Sequence, residues 1–383
     1  MRTRPGYGLD LPPQGKLYGD EGLPVTEGAI VERLDLVVVG SGGAAMAAGI
    51  HARSEGKSVV LVERGVIGGT CLNVGCVPSK ALLAASGQRE NALHSAFPGA
   101  PTSAGVPDVR SLVAQKDDLV GRLRQAKYVD VAAAHGFEIR RGEARFSDAR
   151  TLLVDGEVLA ATAYVVATGS EPATPDLPGL GGVDWLTSTT AMELTTLPES
   201  LVVIGGGYVG MEQAQLFAGL GTAVTLVGRL APHTEPEIAD VMRAAFARVG
   251  INVVEERAAQ VAAGDGGVSV TTQSGRTVTG QRVLVATGRQ ARAQGLDVAA
   301  AGIETDERGF IVVDARQQTT NPMVWAAGDV SGAPQYVYVA AATGRAAAVN
   351  ALGGKAEVDY TGLPGVTFTR PQIGGTGLTQ EQA

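Results

Sequence analysis

The sequence is poor in cysteine, histidine and aromatic residues, and each scarcity argues against a class of function. Its 383 residues include two cysteines and four histidines, and 4% of them are aromatic. So few aromatic side chains argue against a platform that stacks bases. The net charge of −8 makes nucleic acid and anionic membrane surfaces unfavourable partners. The best candidate for a membrane span, residues 36–50, is too short and contains Gly-Ser-Gly-Gly in its interior.

The first 33 residues form an arm rich in proline and glycine, without the apolar core of a secretory signal. Two cysteines in a chain without such a signal are typical of the reducing cytoplasm, where a disulfide is more often catalytic than structural. The sequence therefore predicts a cytoplasmic protein.

Apolar residues and glycine, in contrast, are plentiful. Hydrophobic residues make up 45% of the chain, and 53 glycines occur without a collagen-like repeat. A chain of this length and composition can bury more than one core. We expect two or three domains, with glycine-rich loops that approach ligands closely.

A first nucleotide-binding pattern begins with the apolar run Leu36–Val39, which is typical of a buried parallel strand. Gly-Ser-Gly-Gly-Ala-Ala follows at residues 40–45, then a helix to about Arg53 and a second buried strand that ends in Glu63. Glycines at such a turn let a pyrophosphate approach the helix N-terminus, and the acid is placed to bind a ribose hydroxyl. The pattern predicts a Rossmann-like dinucleotide-binding unit.

The same pattern recurs in the second half of the chain. The run Leu201–Ile204 precedes Gly-Gly-Gly-Tyr-Val-Gly at residues 205–210, and a helix and the strand Ala223–Val227 follow. This strand leads into Gly228 and Arg229 rather than an acid. An arginine there suits the 2′-phosphate of NADPH, which a carboxylate would repel, so we expect NADPH rather than NADH. The alternative is that Arg229 is an ordinary solvated charge.

Further repeats support an internal duplication. Each pattern is followed by a strand that ends in Ala-Thr-Gly, at residues 167–169 and 286–288. Polar alternating runs at 151–159 and 268–278 are typical of antiparallel hairpins, and a short strand at 324–329 stops at an acid. We therefore expect an α/β fold with two Rossmann-like dinucleotide-binding domains.

The two cysteines, Cys71 and Cys76, lie in the glycine-rich segment 68–80. Gly75 lets the backbone bend so that a disulfide could close across one turn, and a helix is expected from Val77. Thiols near a helix N-terminus have a lowered pKa, and a pair of them can exchange two electrons or bind a soft metal ion. The alternatives are two buried hydrophobic residues, half of a zinc site or a structural staple.

Together these features resemble the flavin-dependent pyridine nucleotide–disulfide oxidoreductases. The segment 68–80 is similar to the redox-active signature of that family, and the resemblance covers the chain from about residue 34 to its end. Within the family, residues 40–46 and 332–340 most resemble the branch that reduces Hg(II). Residues 362–382 resemble the start of the dimerisation domain of that branch.

The resemblance implies a division of the chain into consecutive parts. They are the arm at 1–33, the first part of an FAD-binding domain at 34–166, an NADPH-binding domain at 167–289, the second part of the FAD-binding domain at 290–358, and the start of an α+β dimerisation domain at 359–383. The last of these is incomplete in this chain, which by the resemblance is truncated at its C-terminus. The full-length protein is expected to be a homodimer.

The resemblance also assigns residues to the two cofactors. FAD is expected to contact Gly40, Gly42, Ala45, Glu63, Gly65, Gly69, Thr70, Lys80, Ala144, Asp329 and Val337. NADPH is expected to contact Gly205, Gly207, Gly210, Arg229 and Gly288.

Five residues are implied in catalysis by the same resemblance. Cys76 is expected to be the thiolate nearer the flavin, and Cys71 the outer thiol that meets the substrate. Tyr208 matches a ring that covers the flavin until nicotinamide displaces it. Lys80 and Glu212 match an ion pair beside the reactive nitrogen of the flavin.

The implied function is transfer of electrons from NADPH through FAD to a Cys71–Cys76 disulfide and on to Hg(II). The metal ion is a substrate held by the same two cysteines, and it leaves as Hg(0). Two features of the family do not occur in this sequence, the catalytic His-Glu pair and the vicinal cysteines near the C-terminus. Two alternatives stay open: dihydrolipoamide dehydrogenase or a related reductase of a small disulfide, and a fragment that binds FAD and NADPH without turnover.

Overall fold

The computed structural model describes residues 33–383 apart from Ala96, Pro98 and Asp265. The arm expected at 1–33 therefore lies outside the described residues, except for its last position. The helices of the described part are α1 (Gly43–Ser54), α2 (Gly69–Asn73), α3 (Cys76–Leu93), α4 (Val109–Arg124), α5 (Asp130–His135), α6 (Ser188–Ala191), α7 (Tyr208–Leu220), α8 (Pro236–Arg248) and α9 (Val337–Ala351). A π-helix at Gln125–Val129 joins α4 to α5, and short 3-10 helices occur at Leu180–Gly182 and Gly328–Ser331.

The strands are short and belong to several sheets. They are β1 (Leu34–Val39), β2 (Val59–Glu63), β3 (Glu138–Arg141), β4 (Ala144–Phe146), β5 (Leu152–Val154), β6 (Glu157–Val158), β7 (Ala161–Val166), β8 (Ser170–Pro172), β9 (Trp185–Leu186), β10 (Ser200–Ile204), β11 (Ala223–Val227), β12 (Asn252–Val254), β13 (Ala258–Gly264), β14 (Gly267–Thr272), β15 (Thr277–Gly280), β16 (Arg282–Val285), β17 (Arg289–Ala291), β18 (Val324–Ala326), β19 (Gly365–Thr367) and β20 (Ile373–Gly375).

The first large sheet is parallel, with the strand order β18-β7-β1-β2-β3. Alternate residues of β1 enter two different cores: Val37 and Val39 pack in one, and Leu36 and Val38 in the other. Both faces of the strand are therefore buried, which explains its unbroken apolar run.

The second large sheet repeats this arrangement, with the order β12-β11-β10-β16-β9 and parallel pairing throughout. Leu201 and Val203 of its central strand face one core, and Val202 and Ile204 face the other. The predicted α/β fold with two Rossmann-like sheets is confirmed.

The two glycine turns have the same backbone geometry and the same backbone contact, so the internal duplication predicted from the sequence extends to their detailed structure. Gly40 has a φ of 119°, and a Cβ atom there would lie 2.3 Å from the carbonyl oxygen of Ala167. Gly205 has a φ of 116°, and its Cβ would lie 2.4 Å from the carbonyl oxygen of Ala286. Each turn therefore requires glycine because it lies against the Ala-Thr-Gly turn of a neighbouring strand.

The smaller sheets are antiparallel. The runs predicted as hairpins form β5–β6 and β14–β15, each within a three-stranded sheet. The pairs β8–β17 and β19–β20 complete the described sheets. None of the helices in the described part of the chain has the length and apolar character needed to cross a bilayer.

The starts of two helices are set by the backbone just before them, and one of these starts differs from the prediction. The helix after the cysteine turn starts at Cys76 rather than Val77, because Gly75, with φ −121° and ψ −114°, is the last residue before it with a non-helical backbone. The last helix starts at Val337, since Gly332 has a left-handed backbone and Tyr336 is still extended.

Candidate active site

A cavity of about 890 Å³ opens at the carboxyl ends of β1, β2, β7 and β18. Most of the residues predicted for the site line it: Gly40, Gly42, Glu63, Gly65, Gly69, Thr70, Cys71, Cys76, Lys80, Ala144, Tyr208, Glu212, Asp329 and Val337. The predicted residues outside its wall are Ala45, Gly205, Gly207, Gly210, Arg229 and Gly288. The structure thus gathers both cysteines and the first glycine turn around one space.

The backbone at the first glycine turn forms a cradle. A Cβ atom on Gly69 would lie 2.6 Å from Cα of Gly42, so a side chain at Gly69 would fill the space between them. The first hydrogen bond of α1 runs from Met46 N to Gly42 O, which leaves the earlier N–H groups without a partner inside the helix. Thr168 Oγ1 is buried in the cavity wall and has no hydrogen-bond partner among the described residues. This donor set fits the pyrophosphate of a dinucleotide such as FAD.

Glu63 is held in a fixed orientation at the end of β2. Its Oε2 accepts a hydrogen bond from the hydroxyl of Ser41 at 2.6 Å, and its Oε1 accepts one from the amide of Gly65 at 2.7 Å. The same hydroxyl accepts a bond from the amide of Gly68 at 3.1 Å. Ser41, which sequence reasoning missed, therefore joins the glycine turn, the acid and the cysteine segment. Its position inside the glycine motif was the available signal.

Asp329 is oriented in a similar way on the opposite side of the cavity. Its Oδ2 accepts a hydrogen bond of 2.6 Å from the buried hydroxyl of Ser170. Arg289 donates to that hydroxyl and to the Ser170 carbonyl, both at 2.7 Å, and burial lowers the pKa of this arginine. Sequence reasoning missed both residues, although each directly follows one of the two Ala-Thr-Gly turns.

Lys80 and Glu212 form an ion pair, with Nζ 2.5 Å from Oε2. Lys80 lies one helical turn after Cys76 on α3, and Glu212 one turn after Tyr208 on α7. The other carboxylate oxygen accepts the backbone N–H of Phe368 at 2.9 Å, and the ring of Phe368 lies 4.6 Å from Nζ. The segment around Phe368 is therefore part of this site, which the sequence did not indicate.

The two cysteines are free thiols, and each shifts the pKa of the other. Hydrogen bonding from Cys71, and after it the nearby charge of Lys80, lower the pKa of Cys76 to about 6. The pKa of Cys71 is raised, chiefly because its thiol is the donor and then because it is buried. At neutral pH one thiolate and one thiol therefore coexist. The sequence suggested the helix N-terminus as the cause of a lowered pKa, whereas the largest cause found for Cys76 is the partner thiol.

The second glycine turn has its own cradle outside this cavity. A Cβ on Gly210 would lie 1.8 Å from the carbonyl oxygen of Gly205, and Gly207 caps α7 without a side-chain hydrogen bond. Arg229 is exposed directly after β11, and its carbonyl oxygen would lie 2.2 Å from a Cβ on Gly206. The backbone of Arg229 thus packs against the turn, and an exposed cationic residue next to it fits a phosphorylated nucleotide.

Residues 34–344 match the pyridine nucleotide-disulphide oxidoreductase family. The chain belongs to this family. Proteins of the family use FAD and NAD(P)H, which confirms the predicted pair of cofactors at that level. This oxidoreductase has two parallel sheets that each carry a glycine turn, and its paired thiols line the cavity beside the first of these turns.

Similar proteins include curated mercuric reductases. The one from Streptomyces lividans is 49% identical over 361 residues, which is 91% of this chain and 76% of the relative. The one from Staphylococcus aureus is 42% identical, over 91% of this chain and 65% of the relative. The predicted resemblance to the Hg(II)-reducing branch is confirmed.

A solved structure gives the same picture of the fold. The Cu(II) complex of the HOCl-induced flavoprotein disulfide reductase RclA from Escherichia coli has a TM-score of 0.80 and 28% identity. The match covers 91% of this chain and 78% of that chain. The oxidoreductase therefore shares its overall architecture with a flavoprotein disulfide reductase.

Ala45 is a predicted FAD contact whose side chain lies away from the cavity. Its side chain is fully buried in the core between α1 and the sheet and does not line the cavity. The reason is geometric, because the third residue of α1 directs its Cβ toward the strands it covers. Its backbone N–H belongs to the first turn of the helix and is the group that remains available to an anion.

Tyr128 is a residue of this oxidoreductase that the sequence analysis missed. It lies in the π-helix Gln125–Val129, a kind of segment that is frequent at functional sites. Burial raises its pKa most, and the negative charges of Cys71 and Cys76 raise it further. Its phenol therefore senses the charge of both thiols and is neutral near pH 7. No local pattern marks it, since 52 residues separate it from Cys76.

Proposed function

We propose that this oxidoreductase reduces Hg(II) to Hg(0) with electrons from NADPH, using Cys71 and Cys76 as its redox pair. The observation that carries the proposal is the thiolate–thiol pair of unequal acidity at the wall of a cofactor-sized cavity. NADPH loses two electrons as a hydride and becomes NADP⁺, while Hg(II) gains two and leaves as Hg(0). The similarity to mercuric reductases supports the choice of substrate.

FAD is proposed to occupy the cavity. The first glycine turn and the N–H groups of α1 would hold its pyrophosphate, and Glu63 and Asp329 would accept hydrogen bonds from its hydroxyl groups. Bound FAD would supply the two-electron link between nicotinamide and the dithiol. Lys80, kept in place by Glu212, would stabilise negative charge that develops beside it.

The two thiols are proposed to have different roles. Cys76, whose pKa is lowered to about 6, is the thiolate that faces the cavity. Cys71 is the outer thiol that first receives Hg(II), a soft ion for which sulfur ligands are suited. Tyr128, neutral near pH 7, can donate a hydrogen bond to sulfur on the same side.

NADPH is proposed as the preferred nucleotide because Arg229 lies beside the second glycine turn and can pair with a 2′-phosphate. Tyr208 opens α7 at the cavity wall, 38% exposed, and is proposed as the ring that nicotinamide displaces. Residues 34–166 with 290–358 are proposed to bind FAD, and 167–289 to bind NADPH. A cytoplasmic location and a homodimer of the full-length protein are part of the same proposal.

The proposal is tested by anaerobic NADPH oxidation with the FAD-loaded chain. Thiol-complexed Hg(II), Cu(II) and lipoamide are supplied in parallel, and a Cys71→Ala variant is the control. We expect oxidation with Hg(II), none with lipoamide, and loss of the Hg(II) reaction in the variant. Oxidation with lipoamide alone favours a disulfide reductase instead. Silence with every acceptor, while NADPH still bleaches the flavin, favours a cofactor-binding fragment without turnover.

A further inference from the structure

The side chain of Asn73 organises the turn that carries Cys71. Its Nδ2 donates to the carbonyl oxygens of Val66 at 3.3 Å, Ile67 at 3.1 Å and Gly69 at 3.0 Å. These carbonyls belong to the chain that leads into α2, and Asn73 is the last residue of that helix. One amide group therefore ties both ends of the short cysteine-bearing helix together.

Arg124 holds the other end of this amide. Its Nε and Nη2 both donate to Oδ1 of Asn73, at 3.0 and 2.8 Å. The planar fork of a guanidinium makes two such bonds without loss of alignment, which an ammonium cannot do. Since Arg124 ends α4, the cysteine turn is anchored to a long helix rather than only to its own loop.

The same arginine stands at the start of a second element of the site. The π-helix Gln125–Val129 begins directly after it and carries Tyr128 one turn later. The phenol of Tyr128 responds to the charges of Cys71 and Cys76, so it lies near them. A bond that fixes Arg124 against Asn73 therefore anchors both the cysteine turn and the start of the π-helix that carries this phenol.

We propose that Arg124 is a positioning residue for the redox pair: through its fork on Asn73 it holds the turn in the shape that lets Cys71 and Cys76 bond to each other. The inference rests on the proposed redox role of these two cysteines and adds the group that prepares them for it.

The energetic consequence concerns the oxidised form. Closing the pair breaks the S–H bond of Cys71 and forms one S–S bond to Cys76, which is already a thiolate at neutral pH. A dithiothreitol disulfide in the buffer accepts the two electrons, takes one proton from Cys71 and one from solvent, and becomes a dithiol. A disulfide tolerates only a narrow range of Cα separations, whereas two free thiols tolerate a looser turn. Loss of the anchor therefore disfavours the oxidised form more than the reduced one.

The size of the effect follows from this preorganisation. We expect Arg124→Met to lower the equilibrium constant for closing the pair about tenfold, which raises the reduction potential by about 30 mV for a two-electron couple. Arg124→Lys keeps the charge but not the fork, so its potential should lie between the other two.

The experiment measures the thiol–disulfide equilibrium of the FAD-loaded 383-residue chain in dithiothreitol redox buffers. Acid quenching, alkylation and mass spectrometry of the cysteine peptide give the oxidised fraction without an activity assay. Arg122→Met is the matched control, because Arg122 is exposed two residues earlier on the same helix. Melting temperatures of all variants are recorded alongside, and Arg124→Lys decides the question if Arg124→Met does not fold.

A potential raised in Arg124→Met, intermediate in Arg124→Lys and unmoved in Arg122→Met supports the inference. A lower melting temperature with an unchanged potential overturns it, because the arginine would then be a structural tie alone. An equal shift in Arg122→Met, or a potential that falls, also overturns it. If the unsubstituted chain forms no Cys71–Cys76 bond in any buffer, the proposed function itself fails, and this inference with it.

Discussion

Removing the thiol of Cys71 should make Cys76 a weaker acid. The hydrogen bond from Cys71 is the largest cause that lowers the pKa of Cys76 to about 6, ahead of the charge of Lys80. A hydrogen bond to a charged acceptor is worth about 1.5–3 kcal/mol, and one pKa unit corresponds to about 1.4 kcal/mol. We therefore expect Cys71→Ala to raise the pKa of Cys76 by about one to two units.

The assay is the rate of Cys76 alkylation by iodoacetamide between pH 5 and 9, followed by mass spectrometry of the reduced chain. Only the thiolate reacts, so the rate in the unsubstituted chain should reach half its plateau near pH 6 and fall as the pH drops below that value. In Cys71→Ala the same curve should move to higher pH. Cys71→Ser is the matched control, because its hydroxyl can still donate to the thiolate and should preserve part of the shift. A curve at the same pH in all three chains would refute the assignment of donor and acceptor.

Three further predictions concern the cofactors and the last segment of the chain. Arg229→Ala should raise the KM for NADPH about tenfold or more and leave the KM for NADH unchanged, since one charge-assisted phosphate contact is worth about 1.5–3 kcal/mol. Equal changes for both nucleotides would contradict a 2′-phosphate contact. Gly69 has a φ of 65°, and a Cβ there would lie 2.6 Å from Cα of Gly42. Gly69→Ala should therefore weaken FAD binding about tenfold or more in a fluorescence titration. Undiminished binding would show that the cradle lies elsewhere. The side chain of Gln215 accepts a hydrogen bond from Arg370 N at 2.7 Å and donates one to Arg370 O at 2.9 Å. Gln215→Leu removes both bonds and should lower the free energy of unfolding in urea by about 1–3 kcal/mol. The same substitution at an exposed glutamine should change it little.

The nucleotide-binding units could be predicted because their signals are local. An unbroken apolar run, a glycine turn and a helix follow one another within 20 residues in each unit. Each glycine is required by a backbone contact that any Cβ would violate, as Gly40 and Gly205 show. The chemistry of the cysteine segment was also open to prediction, since both thiols and the bend at Gly75 lie within six residues.

The hydrogen bonds that orient the acids of the cavity could not be predicted in the same way. Ser41 and Ser170 fix the two acids of the cavity through bonds that span 22 and 159 residues, and a serine carries no spacing pattern. Ala45 shows a second limit of the sequence. A motif position indicates that a residue is near a ligand, but not whether its side chain or its backbone faces that ligand, and the side chain of Ala45 is buried.

The sequence alone determined the two sheets, the two glycine turns and the placing of both cysteines in one turn, because short-range sterics and hydrophobic period act between near neighbours. Tertiary structure decided which groups act on that pair. Lys80 meets Glu212 across 132 residues, the amide of Phe368 meets the same carboxylate across 156, and Arg124 reaches Asn73 across 51. Such contacts form only when separately folded elements pack, so their partners are set by the shape of the assembled core rather than by any pattern along the chain.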